Sequence, residues 1–126
     1  ADALRFMGAT FDPSALYRFN AIRRMLDGEG LTTATISAHC AGLQEQALAA
    51  FEGTPLAEAE LLNPLEEDAR ARFLALRSPR AAEWQRQLAS RDCITDVRGD
   101  VLRIGFGLYQ DAEDVERLAT LAGALR

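Results

Sequence analysis

Four stretches of the chain repeat apolar residues at helical spacing, and two alternate apolar with polar positions as strands do. Leu16, Phe19, Ile22 and Leu26 follow the helical step and predict a helix over residues 13–27. Asp12 can cap it, and Pro13 suits the first helical position, where a missing N–H costs nothing. Gly28 and Gly30 tolerate the left-handed backbone that closes a helix. Ile36, Cys40, Leu43, Ala47 and Phe51 predict a second helix over 33–52, stopped by Gly53-Thr54-Pro55. Ala81, Trp84 and Leu88 behind Ser78-Pro79 predict a third over 79–91. Val115, Leu118, Ala122 and Leu125 predict a fourth over 112–124. Asp111 caps that helix, and Glu113 and Asp114 lie in its positive first turn.

Between these helices, residues 72–77, 93–97 and 101–106 read as strands. The last two are joined at Gly99-Asp100, a hairpin signal. The pattern predicts an α+β fold: a helical arm followed by a small, largely antiparallel sheet covered by helices. Residues 55–70 differ in texture, with Pro55, Pro64 and the acids Glu58, Glu60, Glu66, Glu67 and Asp68. They read as a connector with one short helical turn. The expected division is a helical arm and interdomain segment at 1–54 and a compact small domain at 55–126.

Composition narrows the chemistry. The chain has 126 residues, 48% hydrophobic and 26% charged, which is the profile of a folded domain with its own core. Its net charge of -5 argues against nucleic acid as a partner, because phosphate backbones need a basic field. All 14 basic residues are arginine. Without a lysine side chain the chain cannot form a Schiff base with a carbonyl substrate or with pyridoxal phosphate. One histidine, His39, and two cysteines, Cys40 and Cys93, are too few for a structural zinc site. The two cysteines read as free thiols of a reducing, cytoplasmic compartment. No apolar run approaches the ~20 residues of a membrane span. Ala1–Arg5 has no apolar leader core, so no secretory signal is expected.

Arg103 is the position where charge and pattern conflict. It lies within Val101-Leu102-Arg103-Ile104-Gly105-Phe106. Alternation puts Leu102, Ile104 and Phe106 on one face and Val101, Arg103 and Gly105 on the other. With Gly99 and Asp100 as the turn, Asp96 falls directly across from Arg103. Two readings stay open: a structural cross-strand ion pair, or a guanidinium fork on a rigid strand that grips a carboxylate, with Gly105 leaving room for the ligand. His39-Cys40 reads as structural, because adjacent helical residues point about 100° apart. Cys93 reads as a small packed hydrophobe, and Glu66–Arg72 as a solvated face. Gly8-Ala9-Thr10, ahead of the first helix, is either an ordinary turn or a loop that presents N–H groups and a hydroxyl to a phosphate.

The run from Asp96 through Val115, with Arg103-Ile104-Gly105-Phe106-Gly107-Leu108-Tyr109-Gln110-Asp111 at its centre, resembles the C-terminal signature of class V aminotransferase-fold enzymes. That family uses pyridoxal phosphate on fold type I. Arg5-Phe6-Met7-Gly8-Ala9-Thr10-Phe11 resembles the segment that enters its interdomain helix. Only Gly99 to Leu102 separates Arg98 from Arg103, which leaves out the cysteine-bearing loop of desulfurases. The compact arrangement is most similar to kynureninase, whose members cleave L-kynurenine hydrolytically to anthranilate and alanine. Gly8-Ala9-Thr10-Phe11 and Gln110-Asp111 depart from the family's usual Asn-Pro and Asn-Thr or Asn-Ser, which bears on the substrate.

The resemblance implies the C-terminal part of a homodimeric, pyridoxal-phosphate-dependent enzyme acting on an amino acid. The Schiff-base lysine would lie in an upstream large domain, and this chain would be inactive alone. Arg103 would take the substrate α-carboxylate, and Gly8 and Thr10 would meet the cofactor phosphate of the neighbouring subunit. The contrasting possibility is a free-standing, non-catalytic α+β module that dimerises or binds a small carboxylate.

Overall fold

A computed structural model describes residues 12–65 and 71–126. The chain divides into two units, residues 1–33 and 34–126. The first carries helix α1 (Ser14–Gly28), which buries none of its residues. Leu16, Phe19 and Ile22 are each more than half exposed. The Asp12 carboxylate accepts the Ser14 N–H at 2.9 Å. Pro13 takes the capping position and the helix starts one residue after it. Beyond Gly28 the chain turns through Gly30 at φ +67°, and the Leu31 N–H donates to the Leu26 carbonyl at 2.8 Å.

The second unit holds the core. Its main elements are α2 (Thr33–Ala50), a 3₁₀ turn (Pro55–Glu58), β1 (Glu60–Leu61), β2 (Phe73–Arg77), α3 (Ala81–Ala89), β3 (Asp96–Arg98), β4 (Val101–Gly105) and α4 (Ala112–Gly123). The four strands form one sheet in the order β1-β2-β4-β3, and every neighbouring pair is antiparallel. The expected α+β class is therefore observed, with β1 added at one edge. One sheet face supplies Leu74, Leu76, Leu102 and Ile104 to the core, all essentially buried. The stripes expected on three helices are buried as well: Ile36, Cys40, Leu43 and Ala47 on α2, Ala81, Trp84 and Leu88 on α3, and Val115, Leu118 and Ala122 on α4. Fully burying one such aliphatic or aromatic side chain stabilises by ~1.5–3 kcal/mol, so this layer is the main favourable term set against the entropy of ordering the chain.

Three local features differ from the sequence pattern. β3 is shorter than the 93–97 strand expected, because Asp92 adopts φ +60° and the Cys93 N–H bonds back to the Leu88 carbonyl at the end of α3. Residues 93–95 follow that helix end and join the ladder only at Asp96. α3 starts at Ala81, not 79, since Ser78 turns the chain first: its hydroxyl accepts the Arg80 N–H and its carbonyl the Ala81 N–H. The connector contains ordered pairing: the Asn63 amide donates to the Phe73 carbonyl at 2.5 Å and accepts the Ala75 N–H at 2.8 Å. That side chain extends the short β1 along the β2 edge. No helix among the described residues is long and apolar enough to cross a membrane.

Candidate functional site

The hairpin fixes the site. Gly99 sits at φ +59°, a conformation glycine enters without steric cost, and the turn sets Asp96 opposite Arg103, Val97 opposite Leu102 and Arg98 opposite Val101. This is the register the Gly99-Asp100 turn predicts. β4 is a central strand, with Ala75 of β2 across from Arg103 on its other side. Leu102 and Ile104 anchor the strand from below, so Arg103 stands on a backbone that is bonded on both flanks and packed underneath.

Both Nε and Nη2 of Arg103 donate to Oδ2 of Asp96, the first at 2.9 Å. The same oxygen accepts Arg98 Nε at 3.1 Å. The Arg103 guanidinium also lies over the Phe73 ring, 5.3 Å from its centroid, within cation–π range. Two guanidinium charges thus meet one carboxylate and leave one positive charge in surplus. The Arg103 hydrogen bond, and then that of Arg98, holds the Asp96 carboxyl below the usual carboxylate range. Arg77, at the far end of this face, is answered by Glu60 at 3.1 Å and Asp100 at 3.8 Å. That second cluster carries one negative charge in surplus, so the positive surplus sits at the Arg103 and Arg98 end of the face and not across the whole of it.

Arg103 keeps 35% of its side-chain surface exposed, so its outer edge meets solvent. Among the described residues its Nη1 has no hydrogen-bond partner. A Cβ built on Gly105 would meet nothing within 4 Å, so there is open space two residues along the same face. A cavity of about 240 Å³ opens beside Gly105 and Phe106, walled by Cys93, Thr95 and Leu118 among others, and Arg103 is not in its wall. Thr95 Oγ1 is buried and has no hydrogen-bond partner among the described residues.

The segment after β4 is held by α2. The Cys40 thiol donates to the Phe106 carbonyl at 3.5 Å, and His39 Nε2 lies 2.8 Å from the Gln110 carbonyl. A carbonyl only accepts, so Nε2 carries a proton in this contact. The Gln110 side chain in turn accepts the Gly107 N–H at 2.7 Å. His39 and Cys40 are therefore structural neighbours with separate partners, and between them they fix where the chain goes after Gly105. Nothing local in the sequence marks this role, because their partners lie 71 and 66 residues away. Burial raises the Cys93 thiol above its ordinary value, which keeps it protonated at neutral pH.

Gly8 and Thr10, assigned from the sequence to a cofactor phosphate, lie outside the described residues, as does most of the Glu66–Arg72 stretch. No group of three or more histidine, cysteine or acidic side chains among the described residues could hold a metal ion. A search of curated proteins and a search of solved structures each returned no match. The family comparison matches residues 36–121, from the first turn of α2 through most of α4 and including the Arg103 hairpin. The chain belongs to the kynureninase C-terminal domain family.

Proposed function

We propose that this chain is the C-terminal part of a pyridoxal-phosphate enzyme that cleaves an amino-acid substrate hydrolytically, and that Arg103 binds the substrate's α-carboxylate. Family membership implies the cofactor and an amino-acid substrate for the full-length enzyme. The observation that supports the role of Arg103 is its setting. A guanidinium on a central strand is held on its Nε side, keeps Nη1 unpartnered among the described residues and has open space at Gly105. A planar fork fixed in this way matches a carboxylate's two oxygens.

The chain has no lysine, so in this reading the covalent attachment of the cofactor belongs to another part of the enzyme. Pyridoxal phosphate, when bound, supplies an electron sink for bonds at the substrate's α-carbon. This chain's own contribution is to orient the substrate by its carboxylate and to place one positive charge there. Gly8 and Thr10 would meet the cofactor phosphate. The rest of the proposal is a helical interdomain segment at 1–54, a small domain at 55–126, a cytoplasmic homodimer, and no activity from the 126-residue chain alone.

The Asp96–Arg103 pair favours a second reading, in which the arginine is a cross-strand tie and nothing more, as it would be in a non-catalytic module. An Arg103→Lys variant of the full-length enzyme separates the two. Lysine keeps the charge and loses the fork. A charge-assisted hydrogen bond is worth ~1.5–3 kcal/mol, so kcat/KM for the amino acid should fall by about ten- to a hundredfold while cofactor binding persists. The decarboxylated amine should lose far less. Equal losses for amino acid and amine would make Arg103 structural.

A further inference from the structure

We infer that Asp96 is a positioning residue for substrate recognition: it clamps the Nε side of Arg103 against the Phe73 ring and so aims the Nη1 edge of the guanidinium at an incoming carboxylate. This rests on the reading of Arg103 as the carboxylate-binding group. An arginine side chain has four rotatable bonds, and ordering it costs entropy at the moment of binding. The cross-strand register removes much of that cost in advance. Asp96 is opposite Arg103 on the edge strand, and one of its oxygens takes both Nε and Nη2. A carboxylate approaching end-on would use Nη1 and share Nη2, so Asp96 does not block it.

Arg98 completes the device. Two residues from Asp96 on the same strand, it projects from the same face and donates its own Nε to the same Asp96 oxygen at 3.1 Å. It holds the aspartate in place, and its charge offsets Asp96, so the edge of Arg103 presented outward stays electropositive. Without Arg98, Asp96 would cancel the charge that Arg103 offers a ligand. With it, the three side chains together carry one positive charge.

The test uses the full-length enzyme with L-kynurenine and the corresponding decarboxylated amine, the latter as a competitive inhibitor. Asp96→Ala should raise KM for the amino acid about tenfold, leave kcat within about twofold, and leave the inhibition constant of the amine unchanged. Asp96→Asn keeps an oxygen acceptor and should fall between wild type and alanine. A second readout comes from the 126-residue chain: its Arg103 Nε–H resonance should exchange slowly with solvent in the wild type and rapidly in Asp96→Ala. A lower KM in Asp96→Ala would mean that Asp96 competes with substrate and would overturn the proposal. So would equal losses for the amino acid and the amine. The parent reading is judged separately by Arg103→Lys. If that variant discriminates between the two ligands and Asp96→Ala does not, the carboxylate role stands and the positioning role falls.

Discussion

Asp96 is the residue at which the electrostatics of the site can be read directly. Its carboxyl is held below the ordinary aspartate range, chiefly by the Arg103 hydrogen bond and secondarily by that of Arg98. A depressed folded-state pKa means that the ionised carboxylate is favoured by folding. The stabilisation is therefore complete above the ordinary carboxylate range and is lost as pH falls through the folded-state value. Because Asp96 is solvent-exposed, its effect on total stability is small and screened by salt. A carbon-detected NMR titration should put the Asp96 midpoint below that of an unperturbed aspartate. Arg103→Ala should move it up more than Arg98→Ala does, following the order of the two hydrogen bonds. An Asp96 midpoint unmoved by Arg103→Ala would mean that the two side chains do not meet in solution. The pairing itself is legible in the sequence, since Gly99-Asp100 dictates the register. The Phe73 ring beneath Arg103 is not, because it comes from β2, 30 residues earlier in the numbering, and strand order cannot be read from local pattern.

At the scale of elements, the helices and the hairpin follow from short-range signals. Asp111 shows why: its carboxylate accepts the N–H groups of Glu113 and Asp114, and the Asp114 side chain returns a bond to the Asp111 N–H, a complete capping box read from four consecutive residues. β1 escapes such reading, because two residues make no alternation and the edge is finished by the Asn63 amide, whose partners are ten and twelve residues away. The shortening of β3 escapes it too, as nothing local says that Asp92 will take φ +60° and keep residues 93–95 on the end of α3. β4 is the element on which both the core and the site depend. Leu102 is fully buried on its inner face, opposite Leu76 on one side and Val97 on the other. Leu102→Ala should cost ~2–5 kcal/mol in chemical denaturation, the usual range for a leucine removed from a packed core. Val101→Ala, one residue away on the half-exposed face, should cost clearly less. Similar losses at both positions would contradict the two-faced arrangement that puts Arg103 outward.

For the whole molecule, the sequence divides the chain by composition and the structure divides it by packing, and the two criteria respond to different forces. Proline and acidic residues at 55–70 look like a linker, yet Phe51 and Leu56 are buried beside this stretch and α2 bonds forward to the segments that flank the sheet, through Gln44 to the Ala71 carbonyl and through Cys40 to Phe106. In the described structure every buried apolar residue from Ile36 onward belongs to the second unit, while α1 buries none. Stability should therefore reside in residues 34–126, since cooperative unfolding follows the shared apolar core. A chain shortened to begin at Gly30 should keep a single cooperative thermal transition, with Tm within about 3 °C of the 126-residue chain, because a domain of this size shifts by several degrees for each ~1 kcal/mol. Its far-UV circular dichroism should lose only the helical signal of α1. The deletion leaves the Arg103–Asp96 hairpin intact, so the protected Arg103 Nε–H resonance should persist. A broad or absent transition after the deletion would overturn the placement of the stability in residues 34–126.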